Sequence, residues 1–95
     1  MAFHLRLSEA ADNAVLTEVL TNIRALLSVW IRQAIDTDRG PSVTVDEHTA
    51  VFEAVAAGDP HAAEEAMEAH MAGASGRLND SLERKRREQD RPQGL

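Results

Sequence analysis

Histidine is the side chain here best suited to chemistry near neutral pH, and three of the four histidines, His4, His48 and His70, fall on apolar helical stripes. A buried imidazole needs partners for both ring nitrogens. Three neutral imidazoles brought together from separate helices suit a divalent cation, zinc first, with nickel, manganese and iron as alternatives. The same placement also suits histidines that are simply satisfied core residues, so both readings stand on spacing alone. His61 differs: it is the second residue of a capped helix and is expected at the surface. There is no cysteine, which excludes disulfides, thiolate metal sites and thiol nucleophiles.

The elements that must carry these residues are helical. Ala, Leu and Val supply most of the apolar content, Phe3, Phe52 and Trp30 are the only aromatics, and there is no tyrosine. That composition favours helix packing over a sheet of β-branched and aromatic pairs. Apolar positions 3, 7, 10 and 11 predict a short helix over Phe3–Ala11, interrupted by the turn formers Asp12 and Asn13. Leu16, Val19, Leu20, Ile23, Leu26, Leu27, Trp30, Ile31 and Ala34 predict one long helix over about 13–35. Asp36–Val43 contains Asp, Gly and Pro and is expected to be a loop.

A third helix is expected from Thr44, with Glu47 completing a capping box and His48, Val51, Phe52 and Val55 as the buried stripe. Gly58 ends it, and Asp59-Pro60 starts a fourth, whose inner face is Ala63, Ala66, Met67, His70, Met71 and Ala74. Gly73 and Gly76 belong to no phosphate-binding loop. The fold class is therefore all-α, an antiparallel bundle of about four helices. Residues 81–90 are expected to be a solvated or frayed charged extension, and 91–95 a disordered tail.

Charge narrows the partners. The net charge is −6, but residues 77–91 hold six basic side chains (Arg77, Arg84, Lys85, Arg86, Arg87, Arg91) against four acids. The remainder carries four basic against twelve acidic groups and would repel nucleic-acid phosphates. The basic run itself, interleaved with acids and free of aromatics, is the pattern of an exposed helix end. No apolar run reaches the roughly 18–20 residues of a membrane span, and Met1–Ala11 is too polar for a signal peptide.

Two motifs carry a family resemblance. Phe3-His4, Leu7, Ala10, Asn13 and Leu16 resemble the "FHxxLxxAxxNxxL" stretch of the FCD domain, the C-terminal effector-binding domain of FadR-type GntR regulators. Glu47-His48, Val51, Ala54, Val55, Gly58-Asp59, Ala63, Ala66, Met67 and His70 resemble its second signature, "EHxxIxxAIxxGDxxxAxxAMxxH". The two stand in the family's order with a long apolar helix between them, and the resemblance runs from Phe3 to about Leu78.

The resemblance implies that His4, His48 and His70 hold a metal together with an aspartate one helical turn before the first histidine, a place that falls just before Met1. It implies that the metal's open positions take a small organic acid, with Arg24 and Asn13 as candidate effector-binding residues. Arg24 adjoins the Ile23 stripe and could pair with a carboxylate, although a solvated flank for Arg24 and a cap for Asn13 are the plainer readings. Residues 1–80 are expected to be a partial, N-terminally truncated portion of a six- or seven-helix FCD bundle. Its uncovered apolar faces imply a homodimer, a partner that restores the missing half, or a poorly folded chain, and contact with DNA would come only through a winged helix absent from this chain.

The expected function is effector sensing in a cytoplasmic transcription regulator and not catalysis. A three-histidine zinc site could activate water. No carboxylate, however, is clearly placed near His4 or His70 as a base, and Glu47 is expected to face a different side of its helix from His48. A helical interaction module whose histidines are core residues is the remaining alternative.

Overall fold

The computed structural model describes residues 2–34 and 40–92, with the backbone alone for 33, 34 and 40. Five helices form among the described residues: α1 (Ala2–Ala10), α2 (Ala14–Asn22), α3 (Arg24–Ala34), α4 (Gly40–Ala56) and α5 (Pro60–Gln89). No described residue is in a strand, and the all-α class holds. The chain divides into two units, Met1–Arg32 and Gln33–Leu95.

In the first unit, α1 packs on α2 through the turn foreseen at Asp12-Asn13. Asp12 takes a left-handed φ of 54°, which a short polar side chain tolerates, and Asn13 caps α2 by accepting from the Leu16 amide at 2.9 Å. Ser8 is buried there, its hydroxyl donating to the Leu5 carbonyl and lying 2.8 Å from the Thr17 hydroxyl.

The single helix expected over 13–35 is instead two, bent by 66° at Ile23. Thr17 and Thr21 donate their hydroxyls back to the carbonyls of Asn13 and Thr17, a bonding pattern that bends helices, and Asn22 is a weak helix former. The apolar stripe runs unbroken across the bend, so periodicity alone does not show it. Leu16, Val19, Ile23, Leu26, Val29 and Trp30 all remain exposed. Among the described residues, no single helix is long and apolar enough to cross a membrane.

The second unit is a helical hairpin. Gly58, at φ 69°, closes α4, and Asp59 caps α5 by accepting from the Ala62 amide at 3.0 Å, with Pro60 at the first helical position. A turn this short forces α4 and α5 antiparallel and sets residues 47 and 48 opposite 70. Less exposed positions recur at three- and four-residue steps on both helices, among them 44, 47, 48, 51 and 54 on one and 63, 66, 67, 70, 73, 74 and 77 on the other. Val51, 2% exposed, is the buried hydrophobic side chain among the described residues.

Three expectations are corrected here. Helix α4 begins by Gly40, so Gly40–Val43 is helix and not loop, and Thr44 is not its cap; residues 36–39 of the expected loop lie outside the described residues. Pro41 is tolerated because the amides of the first turn have no intrahelical acceptor anyway. The inner face of α4 is rotated by roughly 70° from the expected stripe, leaving Phe52 61% and Val55 47% exposed and turning Glu47 inward. Finally, the charged segment continues α5 unbroken to Gln89, and Ser81 within it is fully buried. Strong helix formers carry it, and Arg86 and Arg87 stand in the last turn where cations favour the helix dipole. Of the expected tail, residues 93–95 lie outside the described residues.

Candidate metal centre

His48 and His70 meet between α4 and α5. Their Nε2 atoms are 3.2 Å apart and the rings stand edge to face, with centroids 4.6 Å apart and planes at 81°. Two imidazoles bound to one tetrahedral cation at 2.0–2.1 Å place their nitrogens about 3.3 Å apart, so the pair already has the spacing of two ligands. The His70 side chain is 5% exposed and His48 is half-buried. His48 is held below its ordinary imidazole value, chiefly by burial and then by the neighbouring His70. A neutral ring is the form that binds a metal.

Behind His70 stands Glu47. Its Oε1 is 2.8 Å from His70 Nδ1, on the far side of the ring from Nε2. Arg77 grips the same carboxylate with both terminal nitrogens, Nη2 donating to Oε1 at 2.6 Å and Nη1 to Oε2 at 3.1 Å. The Arg77 hydrogen bond, outweighing the opposing effect of burial and assisted by His70, holds the Glu47 carboxyl below its usual value. The expectation that Glu47 faces away from the histidines is thus corrected. Glu47 reaches His70 because the inner face of α4 is rotated toward it, and its charge is matched by an arginine seven residues beyond His70 on α5.

Each of the other candidate residues has its own local contacts. His4 is half-buried on α1, edge to face with Phe3 at 5.5 Å. Asn13 uses its side-chain oxygen to cap α2. Arg24 is exposed at the start of α3. His61 is at the surface, as expected, 3.2 Å from Glu65. Sequence reasoning missed Arg77, grouped with the basic tail, and Gly73, set aside as an isolated glycine. Their spacing from His70, three and seven residues along one helix face, is the signal that would have found them.

A family model described as FCD domain matches residues 1–73, more than half of the chain. The chain belongs to the FCD domain family. No curated protein and no solved structure matches it. FCD domains are the effector-binding parts of GntR-type regulators, and the matched span takes in both histidine signatures of this one. Within it, the Glu47-His48 pair and His70 are the residues the hairpin brings together. The family is regulatory. Both oxygens of Glu47 are taken by His70 and Arg77, which leaves that carboxylate poorly placed as a general base for water.

Proposed function

We propose that this FCD domain senses a small organic acid through a divalent cation held by His4, His48 and His70. Each histidine offers one ring nitrogen, and zinc is the first choice for an all-imidazole donor set, with nickel, manganese and iron as alternatives. The supporting observation is the His48–His70 pair, whose Nε2 atoms are spaced as two ligands of one tetrahedral cation. His4 joins them on the strength of the family signature at Phe3-His4. When bound, the cation supplies a Lewis-acidic position for a carboxylate. Arg24 and Asn13 are the proposed polar partners of that carboxylate.

In an intact regulator, ligand binding would favour one arrangement of the helices and so bias attached DNA-binding modules, a winged helix in this family. The exposed stripe from Leu16 to Trp30 is the proposed homodimer face, since contiguous apolar surface of this kind marks association sites. The proposed setting is the cytoplasm.

One observation favours a second reading, a helical interaction module with core histidines. His70 is satisfied by Glu47, and the two Nε2 atoms are also within hydrogen-bonding distance of each other without any metal. Calorimetry on chelator-stripped protein separates the two. The sensor reading expects one zinc per chain, a raised Tm, and heat from citrate, used as a probe carboxylate, only after zinc is bound. Zinc that neither binds nor shifts the Tm would establish the interaction module instead.

A further inference from the structure

We propose that Glu47, clamped by Arg77 and seated against Gly73, is a positioning residue that locks His70 as its Nδ1–H tautomer and presents a bare Nε2 to the cation. This rests on the metal reading above and assigns a role to three residues outside the proposed ligand set.

The chemistry follows from donors and acceptors. An ionised carboxylate only accepts hydrogen bonds. Arg77 offers two N–H groups to Glu47, fork to fork, which keeps the carboxylate in its charged, accepting form. The 2.8 Å contact between Glu47 Oε1 and His70 Nδ1 therefore requires the proton on Nδ1. A neutral His70 then has its lone pair on Nε2, the atom facing His48 at 3.2 Å. Such a backing carboxylate both fixes the ring's orientation and raises its basicity as a ligand.

Burial makes the lock stiff. The side chains of His70, Glu47 and Arg77 are 5%, 19% and 17% exposed, so water competes poorly for these bonds. Gly73 completes the seat. A Cβ there would collide with Glu47 Oε2 and press on Arg77 Nη1 at 3.0 Å, so the bare helix backbone is what lets the carboxylate lie between His70 and Arg77. His70, Gly73 and Arg77 stand at three- and four-residue steps on one face of α5, directly opposite Glu47 on α4.

The test pairs long-range nitrogen–proton NMR of the imidazoles at pH 8, on metal-free full-length chain, with zinc titration of the same samples. The wild type is expected to show His70 as one tautomer, protonated at Nδ1. Glu47→Gln should mix the tautomers and weaken zinc 10- to 100-fold. Gly73→Ala is the second variant, because alanine favours helix and so guards against mere unfolding. It should keep helical content while displacing the carboxylate, mixing the tautomers and weakening zinc at least about 10-fold. A wild-type His70 protonated at Nε2, or zinc affinity unchanged in both variants, overturns the proposal. A locked Nδ1–H tautomer in a chain that binds no zinc supports the positioning and overturns the metal reading, so the two failures are told apart.

Discussion

Replacing Arg77 with methionine is expected to destabilise the metal-free α4–α5 hairpin by about 2–3 kcal/mol at pH 7. Methionine keeps most of the aliphatic stem and removes both donors to Glu47, at 2.6 and 3.1 Å. Stripping one partner from a fully buried ion pair costs roughly 3–5 kcal/mol, because the remaining charge is left uncompensated. Here the Glu47 side chain is still 19% exposed and keeps its bond from His70, which brings the figure down. A pH signature accompanies the loss. The Glu47 carboxyl lies below its ordinary value of 4.5 in the folded chain, mainly through Arg77, so its ionisation stabilises the fold above that pH. That contribution disappears as pH falls through the folded value. In Arg77→Met it is largely absent at every pH, so wild type and variant should converge in acid. Urea unfolding followed by circular dichroism at pH 7, 5 and 3.5 measures both effects. A variant as stable as wild type, or a stability gap unchanged across that range, would refute the reasoning.

Other consequences follow from the same structure. Val51→Ala, at the buried hydrophobic position of the hairpin, should cost about 2 kcal/mol by urea unfolding from lost burial and the cavity left behind. Trp30→Glu, placed in the exposed stripe of α3, should shift a concentration-dependent dimer toward monomer in sedimentation velocity without lowering helical content. His48 is held below 6.5 in the metal-free fold, so the unfolded chain takes up its proton first. Thermal stability should therefore fall as pH drops below about 6.5, and His48→Gln should flatten that slope.

Local chemistry made most of the elements legible. Asp12-Asn13 and Gly58-Asp59-Pro60 are turns and caps whose backbone demands only a few residue types can meet, and the structure uses them as expected. The bend at Ile23 is hidden in the sequence because the residues on either side keep one apolar period. The inner face of α4 was misjudged for the opposite reason. Pattern reading places Phe52 inside and Glu47 outside, whereas Glu47 is enclosed because Arg77 and His70 compensate its charge. That compensation is a contact across 23 and 30 residues of sequence, beyond any window of local periodicity.

X-ray absorption at the zinc edge of the loaded protein reports whether the imidazoles gather around one cation. Three nitrogen neighbours at about 2.0–2.1 Å with imidazole outer-shell scattering are expected, reduced by one ring in each of His4→Ala, His48→Ala and His70→Ala. A spectrum with no imidazole scattering, or one unaltered by removing His48 or His70, would contradict it.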